Sequence, residues 1–427
     1  MSNQAWIAII IFFISYGFII SEKIHRTIIA MLGAAALLFL GVLDQKTAIH
    51  FIDFNTIGLL IGMMILVSLL SKTGVFQFLA IWSAQKVKGR PLALLIALSL
   101  LTAIGSAFLD NVTTVLLIVP MTFSIAKRLG ILPTPFLISE VFMSNIGGTA
   151  TMIGDPPNIM IGSAVPTLSF LDFITNLAPV IGIVAAATLL FLSLIFRHAL
   201  HATEEAREKL QQLHAADELR DKKLMIQSLA VLGLTITAFF FHGTLHVETA
   251  TIALTGAFFL LLLTGEQHLA QALAAVEWPT LFFFIGLFLL VGGLVQTGVI
   301  RMLAAEAVSW TGGRPLPTAL LVLWFSAFAS AFVDNIPYVA TMIPLIQDMG
   351  KMGLENMEPI WWSLSLGACL GGNGLLIGAS ANLVVAGLAA QKGHRITFFS
   401  FMKIGMPVML LSIVISSIYI VLRYFLL

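Results

Sequence analysis

An Asp-Asn pair occurs twice in this chain of 427 residues, each time inside a long apolar run. Ser106-Ala107-Phe108-Leu109-Asp110-Asn111 returns 224 residues later as Ser330-Ala331-Phe332-Val333-Asp334-Asn335. A carboxylate at the centre of a bilayer costs about 2.5 to 3.5 kcal/mol on insertion scales, so an acid there reads as a functional site. Burial favours the protonated form of a carboxylic acid and brings proton exchange toward neutral pH. Asp110 and Asp334 are therefore the expected coupling groups, alternating between protonated and charged states as a site changes sides. Both residue types also cap helices by accepting from exposed amides, and a cap can serve a site at the same time.

A second kind of interruption follows the first pair. Thr134 to Ser163 holds Gly147-Gly148, Gly154 and Asp155-Pro156-Pro157-Asn158. No continuous helix absorbs Pro-Pro, because each proline removes a donor and clashes with the preceding turn. Broken backbone at membrane depth is tolerated where it lines a cavity or is buried in protein. The break offers Asn145, Gly148, Thr149, Thr151 and Asn158 to a solute, beside Asn111 and Thr113 of the first pair. Asp155 joins the coupling groups, although an Asp before Pro-Pro also fixes a turn. The second half offers Asn335, Asn373, Ser380 and Asn382. Glu140 reads either as a proton-path residue or as an interfacial acid, and Cys369 as packing. No Lys or Arg lies inside the interrupted segments, the nearest being Arg90, Lys127, Arg314 and Lys351. Such a lining suits a small neutral polyol-like solute or a cation better than an anion.

The elements that must hold these residues are membrane helices. The chain is 59% hydrophobic and 10% charged, against about 25% charged in soluble domains. Spans are expected near Gln4 to Ile20, Thr27 to Leu43, Asn55 to Ser71 and Ala178 to Phe196. Between them Leu92 to Ala126 forms a re-entrant hairpin and Thr134 to Ser163 a broken helix. The first apolar run lacks a cleavage pattern and reads as a span rather than a signal peptide. Arg197 to Lys223 is the long polar stretch, with Glu204, Glu208 and Lys209 at helical spacing, and reads as a solvated linker. The second half repeats the first, with spans near Leu224 to His242, Val247 to Leu263, Thr280 to Gln296 and Ile404 to Phe425, and interrupted runs at Pro317 to Met349 and Pro359 to Ala390.

The offset of 224 also relates Thr73-Gly74 to Thr297-Gly298, Gly89-Arg90-Pro91 to Gly313-Arg314-Pro315, Pro120 to Pro344 and Asn158 to Asn382. The organisation expected is a first transmembrane repeat over residues 1–196, a cytoplasmic linker over 197–223 and a second repeat over 224–427. Five crossings per repeat invert the second copy. With the linker inside, only Lys46, Arg301, Arg314, Lys351 and Arg423 among the Lys and Arg residues fall outside, as the positive-inside rule requires. Both termini are then outside the cytoplasm. Twelve full spans give the same split. The fold class is thus an all-α polytopic membrane protein of two inverted-topology repeats, each with a re-entrant hairpin and a broken helix. That is the pattern of secondary transporters, whose sites lie where the interruptions meet.

The run Ser144-Asn145-Ile146-Gly147-Gly148-Thr149-Ala150-Thr151-Met152-Ile153-Gly154-Asp155-Pro156-Pro157-Asn158, together with Asp110-Asn111, resembles the ion transporter superfamily, in the branch that holds bacterial arsenite and antimonite permeases and P-protein permeases. The resemblance implies alternating access in the bacterial inner membrane and export of trihydroxy arsenic and antimony species in exchange for protons, alone or with an energising ATPase partner. It places the site on Asp110, Asn111, Thr113, Asn145, Gly148, Thr149, Thr151 and Asn158, with Asp334, Asn335, Asn373, Ser380 and Asn382. The branch also holds proposed sodium/proton antiporters, which the motif does not separate from arsenite permeases. The Ser-Asn-Thr triplets of the superfamily's dicarboxylate carriers are absent from both hairpins here, which sets the dicarboxylate and other anion readings lower.

Other classes are set aside on the same residues. No HExxH, GxSxG or paired His accompanies the acids, so neither an enzyme nor a metal site is expected. The only cysteine, Cys369, excludes a disulfide within the chain. No cofactor beyond a proton or sodium gradient and no nucleic-acid partner is expected. The partners are a small inorganic solute and membrane lipid, with the oligomeric state open.

Overall fold

The computed structural model describes residues 1–21, 23–198 and 200–426. Ala199 of the expected linker and Leu427 at the end of the expected second repeat lie outside the described residues. Among those described, every regular element is a helix. The first half contains α1 (Asn3–Ser21), α2 (Arg26–Phe39), α3 (Gln45–Phe51), α4 (Phe54–Lys72), α5 (Val75–Lys86), α6 (Pro91–Phe108), α7 (Asn111–Leu129), α8 (Thr134–Gly148), α9 (Pro156–Ala164) and α10 (Phe170–Phe196). The polar stretch forms α11 (Glu204–Gln211). The second half contains α12 (Lys222–Phe240), α13 (His242–Leu245), α14 (Thr249–Thr264), α15 (Leu269–Ala274), α16 (Trp278–Gln296), α17 (Val299–Thr311), α18 (Pro315–Phe332), α19 (Asn335–Lys351), α20 (Glu358–Gly371), α21 (Ser380–Gln391) and α22 (Phe398–Val421). Among the described residues nine helices are long and apolar enough to cross a bilayer, or ten if the bent α14–α15 segment is one span.

The local signals explain the boundaries. Each of α16 to α21 starts 224 residues after its counterpart among α4 to α9. Asp110 and Asp334 cap α7 and α19 by accepting from the amides of Thr113 and Ile336. Pro91 and Pro315 open α6 and α18, where a missing N–H costs nothing. Pro156 opens α9 after a seven-residue break, Thr149 to Asp155, that follows α8.

Three features depart from the sequence expectation. Two helices, α5 and α17, occupy stretches to which the sequence reading assigns no element. At 12 and 13 residues they extend about 18 to 20 Å, too short to cross the hydrocarbon. Each is entered through a glycine in the left-handed region, Gly74 at φ +80 and Gly298 at φ +78, where a side chain is strained. Helix α10 begins at Phe170 rather than Ala178, because Ser169 and Asp172 form a capping box. The linker helix α11 is docked rather than free: Leu210 is buried, and beyond it the Arg220 amide donates to the Thr73 carbonyl at 3.0 Å.

The halves pack reciprocally. Helix α2 lies on α16 as α14 lies on α4, and α7 meets α21 as α19 meets α9. Such exchange is what a pseudo-two-fold relation between the halves produces. Within each half the hairpin's first helix is pressed onto the broken one. A Cβ at Gly147 would fall on the Ala103 carbonyl, and one at Gly371 would stand 2.5 Å from the Ala327 carbonyl oxygen. Only glycine allows that approach of two backbones.

Candidate functional site

The two hairpin tips, the two helix breaks and the N-terminus of α2 converge. Asp155, at the start of α9, has no exposed surface. It accepts from the Asn111 amide at 3.4 Å and from the Asn335 amide at 3.3 Å on each oxygen. Asn111 and Asn335 are equivalent residues of the two repeats, so one carboxylate ties the two hairpins together. Position 379, its own equivalent, is alanine. Asp155 is therefore more than a turn-former before Pro156-Pro157.

An amide network lies beside it. Asn145 accepts from Asn111 at 3.2 Å and donates to the side-chain oxygens of Asn373 at 2.9 Å and Asn382 at 3.0 Å. Asn158 donates to the carbonyls of Thr149 and Thr151, and Asn382 donates to those of Gly372 and Leu375. Each break thus has one asparagine satisfying carbonyls that the interrupted helix leaves free, as buried polar groups require. Asn158 also accepts from the Ser365 hydroxyl at 2.6 Å across the repeat interface.

Several predicted residues are used by the scaffold itself. The Thr149 hydroxyl donates back to the Asn145 carbonyl, and the Thr151 hydroxyl to the Ala107 carbonyl of the hairpin. Thr113 lends its backbone amide to the Asp110 cap. Gly148 stands where a Cβ would come 2.6 Å from the Gly154 carbonyl oxygen. Cys369 is buried beside Asn158, its sulfur 3.8 Å from the side-chain oxygen.

The hairpin acids are not equivalent in their surroundings. Asp334 accepts from the Arg26 guanidinium at 2.8 Å and from the Ser380 hydroxyl at 2.7 Å. Arg26 also donates to Ser380 at 2.9 Å and lies over the Phe283 ring at 4.9 Å. Among the described residues no salt bridge reaches Asp110. Arg26, grouped by sequence with the loop cations of the cytoplasmic face, instead projects from the start of α2 into the site. The interrupted segments hold no cation, but the site does.

A cavity of about 30 Å³ lies at the junction, lined among others by Arg26, Asp110, Asn111, Asp155, Glu277 and Asn335. Glu277 was not among the sequence candidates. Its signal was the repeat itself, since Asp53, 224 residues earlier, caps α4 just as Glu277 precedes α16. A larger cavity of about 280 Å³ meets the same place from the other side of Arg26, Asp334 and Ser380. Three carboxylates face one guanidinium across a volume suited to a water or a bare ion. That arrangement attracts protons and cations and repels anions.

Comparison with known proteins follows the same line. A family model described as "Citrate transporter" (CitMHS) matches residues 16–367. An uncharacterized transporter of Mycobacterium tuberculosis is 44% identical over 99% of both chains. The human P protein is 33% identical over 99% of this chain and 60% of its own length. The Alcanivorax borkumensis YdaH transporter shares the fold at a TM-score of 0.63 and 12% identity, with 98% of each chain covered.

Proposed function

This chain belongs to the CitMHS citrate transporter family within the ion transporter superfamily, a multi-pass membrane transporter rather than an enzyme, and from that premise we propose that it exchanges protons for a small uncharged or cationic solute by alternating access. The single observation that carries the proposal is Asp155, a fully buried carboxylate that accepts from amides of both opposed hairpins. A charged carboxylate accepts at both oxygens, whereas a protonated one donates at one of them. Gaining a proton therefore loosens the tie between Asn111 of one half and Asn335 of the other, and losing it tightens the tie. Asp110, without an ion-pair partner among the described residues, shares the proton exchange. Asp334 serves as the fixed counter-ion of Arg26, which breaks the symmetry expected of the two tips.

The cargo proposed first is arsenite or antimonite, exported from the cytoplasm across a bacterial inner membrane with both termini outside. Uncharged trihydroxy species present three hydroxyls to amide and carboxylate acceptors and meet no charge penalty beside the acids. A sodium/proton antiport is the second reading, supported by the size and acidity of the cavity at Asp110, Asp155 and Glu277. Free citrate, from the family's description, would bring its carboxylates against three others. The test is solute-driven proton movement in proteoliposomes with a pH-sensitive dye, challenged with arsenite, antimonite, Na⁺, Li⁺, succinate and citrate. Arsenite-driven movement lost in Asp155→Asn supports the first reading. A response to Na⁺ or Li⁺ alone selects the second, and a response to none of the panel overturns proton coupling.

A further inference from the structure

Glu140 lies in the middle of α8 with 1% of its surface exposed, so it is no interfacial acid. The Thr122 hydroxyl of α7 donates to its Oε1 at 2.5 Å, and its Oε2 is buried with no hydrogen-bond partner among the described residues. A buried carboxylate left half-satisfied is costly, and the architecture does not require one. At the equivalent places the second repeat has Leu364 and Ile346, which pack between the same kinds of helix.

The surroundings continue the pattern. Ser144, one turn along α8 toward Asn145, Thr114 on α7, and Ser99 and Ser106 on α6 each carry a buried hydroxyl without a partner. These three helices pack against one another. In the second repeat the matching residues are Ala368, Tyr338, Leu323 and Ser330, and Ser330 is satisfied by the Ala368 carbonyl. The interface of α6, α7 and α8 thus holds a line of unsatisfied donors and acceptors, whereas among the described residues of α18, α19 and α20 the Ser363 hydroxyl alone is buried without a partner. The line starts at the hairpin tip. Thr122 stands about 16 Å along α7 from Asn111 at the helical rise, on the way to the end of that helix where α11 docks.

We propose that Glu140 is a proton relay between the acids of the central site and the face that carries the polar linker. Hydroxyls both donate and accept, and water enters buried spaces that offer it polar partners. A proton released by Asp155 passes along the hydroxyls of Thr114 and Ser144, binds Glu140 Oε2, and leaves toward water beyond the end of α7; the reverse path loads the site. Each hydroxyl on the way gives up one proton as it takes another, so only O–H bonds break and form. Titratable groups on the helices packed against α8 are Asp110, Lys127 and Arg128 on α7 or its ends, Asp172 on α10, and Glu358 and Cys369 on α20; α6 and α21 carry none. None of them hydrogen-bonds Glu140.

The relay rests on the proton coupling proposed above, and its test separates the two. Full-length protein in proteoliposomes is assayed for proton movement driven by arsenite, antimonite or Na⁺, and for counterflow of radiolabelled arsenite or sodium without a pH gradient. Glu140→Gln is expected to slow proton movement about tenfold or more while counterflow stays at the wild-type rate. The paired change Glu140→Leu with Thr122→Ile, which copies the packing of the second repeat, behaves the same way, and Glu140→Asp restores part of the rate. Wild-type proton rates in Glu140→Gln overturn the relay and leave the coupling reading intact. Solute transport by the wild type with no proton movement overturns both. Parallel loss of counterflow in both variants assigns Glu140 a structural role and overturns the relay. A solute-free readout is the pH-difference infrared spectrum, in which a carboxyl band lost in Glu140→Gln supports the relay and an unchanged spectrum refutes it.

Discussion

The unequal surroundings of the two hairpin acids predict unequal costs for the same substitution. Asp334→Asn leaves the Arg26 guanidinium with the Ser380 hydroxyl but without its ion-pair partner. The side chains of Arg26 and Asp334 are 28% and 14% exposed, so the pair lies between two regimes. Breaking a fully buried pair costs about 3 to 5 kcal/mol, while surface pairs contribute about 0 to 1 kcal/mol. A loss of about 2 kcal/mol follows. Asp110→Asn removes no ion pair, and asparagine caps a helix about as well as aspartate, so it costs under about 0.5 kcal/mol. Arg26→Gln also loses the contact with Phe283, worth about 0.5 to 1 kcal/mol. The assay is equilibrium unfolding in mixed micelles with a rising fraction of denaturing detergent, on the single variants and on Arg26→Gln with Asp334→Asn. The double variant should recover about 1.5 kcal/mol relative to the sum of the singles. Equal losses for Asp110→Asn and Asp334→Asn, or strict additivity in the cycle, refute the assignment of Arg26 to Asp334.

Other outcomes test the remaining geometry. Gly147→Ala and Gly371→Ala force a Cβ onto the facing backbone of Ala103 and Ala327 and should each destabilise by about 1 to 3 kcal/mol, read as lower temperatures of half-loss in detergent. Asn145→Ala strips the donor from both Asn373 and Asn382 and should cost about 2 kcal/mol or more, at about 1 to 3 kcal/mol per orphaned buried group. Cys369, buried in this state, should react slowly with maleimide and speed up when cargo opens the site, measured by mass shift. His242, outside the spans, accepts from the Phe170 amide at 3.3 Å, and burial pushes its imidazole below the ordinary 6.5. Its contribution is complete above pH 6.5 and is lost as pH falls through the lowered value. Amide exchange at Phe170 should accelerate over that acid window in the wild type and show no such step in His242→Asn.

The parts of the fold legible in the sequence are those fixed by local rules and repeated. Hairpins, breaks and capping acids declare themselves through Asp-Asn, Gly-Gly and Pro-Pro at a constant offset, and the starts of α6 to α9 and α18 to α21 fell close to where those signals put them. Helices α5 and α17 were missed because short, partly polar segments give no apolar run of membrane length. Arg26 was missed for a different reason. Its partner is 308 residues away, and a cation beside an apolar run reads as a loop anchor until the tertiary fold turns it inward. Glu140 was open between two readings because burial of a residue one turn and a half into a helix depends on what packs around that helix. Thr149 and Thr151 show the converse, since side chains counted as solute ligands are taken up by carbonyls of α8 and of the hairpin.

Asp155 also bears on how a chain of this kind arose. It stands where equivalent residues of the two halves meet, so a homodimer of half-length subunits would fill that place twice or leave it empty. Two acids there would repel each other across the junction, and two alanines would give the facing asparagines nothing to bind. A single acid with alanine at the equivalent position is open only to copies that can mutate separately. A single chain therefore does more than join two halves: it permits an odd number of charges at a place that symmetry would hold to an even one.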